Sequence, residues 1–155
     1  MAVKELALVD LSADEANELY EAPKFIRNQG PIRWAPSPQH ARGLVVEIPV
    51  LAADGTELEV RGWYTPSSRK FGFAFLYKGV AIRHWDVHKK NRDVSRRRAT
   101  VVEGPHKHKH NPDGPEPTDI YPVEDITTAN VQQALLQFLA ECGIETRGIQ
   151  FEGIL

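Results

Sequence analysis

The sequence predicts an α+β fold: an antiparallel sheet of about four to five strands, a C-terminal helix packed on one face and a short N-terminal helix. Two observations support this class. Runs of alternating side chains separated by turn dipeptides fill the middle of the chain, and apolar residues at helical spacing occur near its two ends. We expect one domain over residues 1–155, with a helix and proline-rich extension at 1–42, a core at 43–142 and a tail at 143–155.

The first element is a short helix in LSADEANELYEA. Ser12 can accept hydrogen bonds from the first-turn amides, and Glu15 stands three residues later, which is the spacing of a capping box. The following PKFIRNQGPIRWAPSP is interrupted by prolines and a glycine. It predicts an extended connector that packs on the body through Ile32 and Trp34.

The middle of the chain predicts two hairpins, with strands at residues 43–52, 56–65, 70–77 and 80–88. Asp54-Gly55 and Lys78-Gly79 supply the turns, because such dipeptides readily take positive φ. Phe71, Phe73 and Phe75 alternate with smaller residues, so one face of this meander should be buried.

Residues 104–118 hold four prolines, which exclude a helix and allow one short strand over His106–His110, at an edge or end of the sheet. DIYPVED predicts a further short strand. TTANVQQALLQFLAECG then has the strongest helical pattern, with Thr127 or Thr128 as the cap and Gly143 as the stop.

Composition limits the class of protein. The single cysteine, Cys142, excludes an internal disulfide and fits a reducing compartment. The first ten residues lack the apolar core of a signal peptide, and no apolar run approaches the roughly 20 residues of a membrane helix. We therefore expect a cytoplasmic protein that makes no membrane contact.

Charge is distributed unevenly. Residues 89–109 hold eight of the 19 Lys and Arg residues and two acids, a local charge of +6 in a chain of net charge −2. Such a segment predicts contact with a polyanion, although a solvated loop has the same composition. The predicted nucleic-acid ligands are Arg83, Lys89, Lys90, Arg92, Arg96, Arg97, Arg98 and Lys107.

Two histidine runs flank this basic segment. RHWDVHKK places His84, Asp86 and His88 at alternate positions, and GPHKHKH does the same with His106, His108 and His110. In strands, alternate side chains leave the same face about 6.6 Å apart, so each run should present its imidazoles together.

Three interpretations of the histidines stay open. Imidazole can act as acid or base at neutral pH, so Asp86, His88, His106 and His108 would form a catalytic set for RNA cleavage without a metal. The same groups could hold zinc, or HKHKH could be a solvated loop. The three tryptophans are interpreted as packing residues, and Cys142 as helix core.

Residues 70–142 also resemble the TumE-type toxins of toxin–antitoxin systems, through FAFLYKGVAIRHWDVHKK, GPHKHKH, IYPVEDI and NVQQALLQFLAECGI. The resemblance falls on Arg83, Trp85-Asp86, Lys89, His106 and His108. Trp85 replaces a tyrosine of the pattern, the intervening loop is longer, and the first 60 residues match nothing in it.

The resemblance implies a small toxin with an antitoxin partner, plausibly acting on RNA. Together with the residue types it predicts a metal-independent endoribonuclease that needs no cofactor. Alternatives are a non-catalytic nucleic-acid-binding or regulatory module and a zinc-dependent hydrolase. An exposed strand edge near HKHKH would also favour a homo-oligomer.

Overall fold

A computed structural model of the chain describes residues 11–27, 30–87, 92–94, 101–103, 105–110, 112, 118–122 and 130–152. Within these residues there are two helices, α1 (Ala13–Glu21) and α2 (Val131–Glu141). The strands of the same residues are β1 (Lys24–Ile26), β2 (Ala35–Pro36), β3 (Leu44–Ala52), β4 (Glu57–Thr65), β5 (Lys70–Tyr77), β6 (Val80–Val87), β7 (Arg92–Val94), β8 (Val101–Glu103), β9 (His106–His110), β10 (Thr118–Pro122) and β11 (Ile144–Glu145).

Most of the described strands join one mixed sheet. Its order is β10-β9-β6-β5-β4-β3-β1-β11, with β2 paired to β3. All of these pairs are antiparallel except β1 with β11, which is parallel. β7 and β8 pair with each other as a separate two-stranded sheet. The class is α+β as predicted, but the expected sheet of four to five antiparallel strands was wrong.

The additional strands are short and lie where the sequence predicted none. β1 and β2 fall in the connector, and β11 falls in the tail. Strands of two or three residues are too short to show an alternating pattern, so only their neighbours define them. The predicted strand over His106–His110 is present, but β9 lies between β6 and β10 rather than at an edge.

Strands β3 to β6 form the meander that the sequence predicts. Gly55 has φ of 92°, and Lys78 and Gly79 have φ of 48° and 84°, so both predicted turn dipeptides use the left-handed region. Phe71, Phe73 and Phe75 are buried on one face of this meander, which we call the core face. The opposite face, where His84 and Asp86 emerge from β6, is called the histidine face.

Helix α1 has the predicted start. The Glu15 amide donates to Ser12 Oγ and the Ser12 amide donates to the Glu15 carboxylate, both at 3.1 Å. At its other end Lys24, which is 2% exposed, donates from Nζ to the carbonyl oxygens of Leu19, Tyr20 and Ala22. A cation there also matches the negative end of the helix dipole.

The helix placement that the sequence predicted was wrong in the cap of the C-terminal helix and in packing only that helix on the sheet. Helix α2 is capped by the Asn130 side chain, which accepts from two first-turn amides, so neither Thr127 nor Thr128 is the cap. Both helices contact the sheet, since α1 contacts β6 and α2 contacts β5 and β11. Phe138 of α2 packs against Phe73 at 5.6 Å between ring centroids. Helix α1 therefore covers the core face at β6, and helix α2 covers it at β5.

Candidate active site

The pairing of β6 with β9 brings the two histidine runs together. In the antiparallel register His84 lies opposite His108, and Asp86 lies opposite His106. Residues that pair across neighbouring strands project from the same face of a sheet, so all four side chains belong to the histidine face. We call His84, Asp86, His106 and His108 the histidine cluster.

The Asp86 carboxylate is the centre of this cluster. Its Oδ2 lies 3.0 Å from His108 Nε2 and 3.4 Å from His106 Nε2, and its Oδ1 lies 3.3 Å from His84 Nε2. The rings of His84 and His108 stack with centroids 4.8 Å apart, and those of His106 and His108 are 4.7 Å apart. Three imidazoles thus converge on one carboxylate.

Asp86 is ionised at neutral pH. Burial is the largest single influence and opposes ionisation, but the contacts with His106, His108 and His84 together outweigh it and hold the pKa of Asp86 well below its usual range. An ionised carboxylate can only accept hydrogen bonds, so the His108 Nε2 bonded to it must carry the proton. In a neutral ring this leaves Nδ1 as the basic nitrogen.

The three imidazoles of the cluster differ in burial. The His106 side chain is fully buried, whereas those of His84 and His108 are 31% and 12% exposed. Within the described residues, the rings of His84 and His108 are therefore partly exposed, and the ring of His106 is enclosed. The sequence predicted a catalytic role for His106 and did not include His84 in the catalytic set, and that role stays a prediction.

The remaining histidine of β9 has a different environment. His110 Nε2 lies 2.7 Å from the backbone carbonyl oxygen of Leu11, just before α1. Since a carbonyl oxygen only accepts, this ring nitrogen must donate. His110 therefore ties the sheet to the start of α1 and does not join the Asp86 contacts.

Two predicted phosphate ligands lie on the core face. Arg83 is 7% exposed, stacks over Tyr20 at 3.9 Å and donates to Asn17 Oδ1. Lys107 is 8% exposed and lies 2.5 Å from Glu141 Oε1. Both cations are enclosed beneath the helices, which argues against the phosphate contacts expected of them.

Trp85 belongs to the same arrangement. It is 1% exposed and donates from Nε1 to Glu141 Oε2 at 3.0 Å, while Lys107 Nζ lies 5.0 Å from its ring centroid. Trp85 is thus a core residue that links β6 to α2.

Several predicted ligands fall outside the described residues. These are His88, Lys89, Lys90, Arg96, Arg97 and Arg98, and of Arg92 the backbone in β7 is described. The hairpin of β7 and β8 lies in the chain between Val87, the end of β6, and His106, the start of β9. The basic segment is therefore inserted between the two strands that carry the histidine cluster, at the end where Asp86 pairs with His106.

The sequence missed one further residue beside the cluster. Trp63 pairs with Gly72, and Gly72 pairs with Asp86, so the three lie in one row on the histidine face. Small residues at 72 and 74 alternate with the phenylalanines of β5, and this pattern could have indicated that another group approaches the backbone of β5 closely.

Part of the cluster has the composition of a metal site. One ligand atom from each of His84, Asp86 and His108 lies within 4.8 Å of the others. Ligand atoms bound to tetrahedral zinc at 2.0–2.1 Å lie about 3.3 Å apart. Binding would therefore require the wider pairs to close, and would replace the imidazole contacts with Asp86.

Fold and cluster together define a small α+β protein with an imidazole–carboxylate group on the face of its sheet opposite the core face. A family model described as Toxin TumE matches residues 32–147, which is most of the chain. The chain belongs to the TumE toxin family. The resemblance seen in residues 70–142 is confirmed, and the match extends further toward the N-terminus than the sequence motifs indicated.

Family membership suggests a toxin of a toxin–antitoxin system and implies an antitoxin as the candidate partner. Neither the curated proteins nor the solved structures include a match to the chain. In the part of the chain that the structure describes, neither helix has the length and apolar character to cross a membrane.

Proposed function

We propose that the protein is a toxin that cleaves RNA through an acid–base pair of imidazoles, His84 and His108, with Asp86 as the orienting carboxylate and His106 as a positioning residue. The observation that supports this most is the convergence of three imidazoles on one ionised carboxylate, two of them accessible from outside. A solvated loop would give no reason for a fully buried His106.

The proposed reaction is an intramolecular transesterification at an RNA phosphodiester. One imidazole removes the proton of a ribose 2′-hydroxyl, whose oxygen attacks the adjacent phosphorus. The bond from phosphorus to O5′ breaks, and the second imidazole, protonated, donates its proton to O5′. The products are a 2′,3′-cyclic phosphate and a 5′-hydroxyl, so the step consumes neither water nor metal.

Asp86 serves this reaction by fixing the rings. Its contacts with Nε2 of His84 and His108 hold the two imidazoles stacked and leave their Nδ1 atoms for proton transfer. The negative charge also stabilises whichever ring becomes protonated. His106 holds Asp86 from the buried side.

RNA binding is assigned to the segment between β6 and β9. Lys89, Lys90, Arg92, Arg96, Arg97 and Arg98 precede His106 in the sequence and would place positive charge near the cluster. Lys107 was the expected partner of the phosphoryl oxygens. Because its ammonium group lies against Glu141, an arginine of the inserted segment is the better candidate for that role.

The test is cleavage of total RNA by the purified protein in EDTA. We expect His84→Ala and His108→Ala each to lower the rate about 10²- to 10⁴-fold, since this is the usual contribution of one general acid or base. His40→Ala is the matched control, because His40 is exposed and outside the cluster. Mass spectrometry of the products should find 2′,3′-cyclic phosphate ends.

Absence of cleavage by the unmodified protein, or equal cleavage by all variants, would remove the catalytic proposal. RNA binding without cleavage would instead favour a non-catalytic binding module. Such binding would weaken steeply as the salt concentration rises, because binding releases counterions from the RNA phosphates.

A zinc-dependent hydrolase is the second candidate, and the spacing of His84, Asp86 and His108 supports it. It predicts zinc that co-purifies in a one-to-one ratio, is lost in Asp86→Ala, and is required for cleavage. Elemental analysis together with the EDTA reaction separates the two mechanisms.

A further inference from the structure

Trp63 occupies a special position relative to the histidine cluster. Its partner on β5 is Gly72, whose partner on β6 is Asp86. One row across three strands therefore contains an indole, a bare backbone position and the carboxylate that organises the cluster. The next row contains Arg61, Ala74 and His84.

The absence of a side chain at Gly72 determines how the indole lies. A Cβ built on Gly72 would be 2.6 Å from Trp63 Nε1 and 2.9 Å from Cε2, closer than atoms can approach. The indole therefore lies against the backbone of β5 in the space that a side chain would fill. Its ring is laid toward the strand that carries Asp86.

The same face has a cavity beside the indole. It measures about 260 Å³, and its lining includes Trp63, Ala74, His84, Arg61 and Gln39. Ala74 contributes only a methyl group next to the His84 ring. No large side chain of β5 therefore stands between the Trp63 indole and the histidine cluster. A cavity with an indole on one side, a small alanine at its base and polar side chains nearby suits a flat, partly polar ligand.

Trp63 does not project into the core face. The aromatic contacts of the core face involve Trp34, Phe73, Trp85 and Phe138, and Trp63 projects from the other face. The indole is half-buried rather than enclosed. A tryptophan placed this way offers a large apolar surface with little conformational freedom, as aromatic ligand platforms do.

We propose that Trp63 is a stacking platform for a nucleobase adjacent to the scissile phosphate of single-stranded RNA. The inference rests on the proposed function, because the cluster defines where that phosphate would lie. Every base has a π-face, so such a platform selects unpaired RNA without strict sequence preference. A base within a duplex would have to leave its stack to reach the platform.

The experiment measures binding apart from cleavage. Fluorescence anisotropy of a labelled single-stranded RNA hexamer, with the His108→Ala background added to prevent cleavage, gives Kd for Trp63→Phe and Trp63→Leu. Stacking contributes about 1–3 kcal/mol per base, so Trp63→Leu should bind about 5- to 150-fold more weakly, while Trp63→Phe should keep most of the affinity. Phe25→Leu removes another exposed aromatic ring, on β1, and should change nothing.

A second measurement assigns the partner base. One base of the hexamer is removed at a time, and each abasic RNA is tested against the unsubstituted and Trp63→Leu proteins. At one position the two losses should fail to add, because both remove the same stacked contact. Circular dichroism confirms that Trp63→Leu remains folded.

Full affinity in Trp63→Leu, strict additivity at every position, or no RNA binding at all would each overturn the inference. The proposed reaction is judged separately, by product analysis of the unsubstituted protein and the two histidine variants. Cleavage with an indifferent Trp63 would leave the ribonuclease intact and remove the platform. Trp63-dependent binding without cleavage would keep the stacking contact but remove both the ribonuclease and the placement of the base beside a scissile phosphate.

Discussion

The substitution Asp86→Asn tests the centre of the histidine cluster most directly. Asparagine keeps the size of aspartate but removes the charge that three imidazoles share. Wild-type Asp86 has one hydrogen bond at 3.0 Å to His108 and two longer contacts at 3.3 and 3.4 Å to His84 and His106. The amide oxygen can keep one of these contacts, and its NH₂ group faces ring nitrogens that had been donors.

The expected loss of stability follows from the ionisation of Asp86. A carboxyl group whose pKa is lowered on folding stabilises the folded state at neutral pH, by roughly 1.4 kcal/mol for each pKa unit. Since burial opposes the imidazole contacts of Asp86, we expect a net contribution of about 2–3 kcal/mol. The free energy of unfolding of Asp86→Asn should be lower by that amount at pH 7.

The sign of the pH dependence is fixed by the lowered pKa. The stabilisation is fully present above the ordinary carboxyl pKa near 4 and is lost as the pH falls below it, because the unfolded chain then binds the proton first. Urea unfolding of both proteins should therefore give a difference that persists down to about pH 5 and shrinks toward pH 3.

A matched control is Glu57→Gln. This carboxylate is exposed and pairs with Arg27 on the surface, where ion pairs contribute little. Its removal should therefore leave the urea unfolding curves at pH 7 and at pH 3 unchanged. A difference for Asp86→Asn below 0.5 kcal/mol at pH 7, or one that is equal at pH 7 and pH 3, would refute the assignment of Asp86 as a shared, ionised acceptor.

Three further substitutions test the surrounding framework by urea unfolding. Gly72→Ala places a Cβ 2.6 Å from Trp63 Nε1 and 2.8 Å from the backbone carbonyl oxygen of Trp85, so overpacking should cost about 1–3 kcal/mol, and an unchanged midpoint would contradict the close approach. Lys24→Met leaves three carbonyl acceptors without their buried donor and should cost about 2–3 kcal/mol, whereas a surface lysine would cost almost nothing. Asn130→Ala removes the cap of α2 and should cost about 1 kcal/mol, and Asn130→Asp should restore most of it.

The sequence predicted the elements that local pattern determines. The meander of β3 to β6 was predicted because its apolar residues alternate over eight or nine positions and its turns contain glycine. Ser12 and Glu15 were found because a capping box is a contact between residues three apart. β1 and β11 were missed because their pairing partners lie far away in the chain, which no local pattern reveals. β2 was missed because two residues are too few to show an alternation.

The candidate site shows the same division. Alternation correctly placed His84 with Asp86 on one face and Arg83 on the other, but it could not reveal that α1 covers Arg83. It also gave no means to rank the imidazoles. His106 is buried and His84 accessible because of what packs around each, and that depends on the pairing of β6 with β9.

The insertion of the β7–β8 hairpin between β6 and β9 separates two kinds of evolutionary change. The two strands pair directly with each other, so their register is set by the sheet and not by the length of chain that leaves and returns between them. Residues of the insertion can be gained, lost or exchanged while the pairs His84–His108 and Asp86–His106 stay aligned. Under the proposed function, substitutions in the insertion would change RNA binding while the histidine cluster kept its geometry.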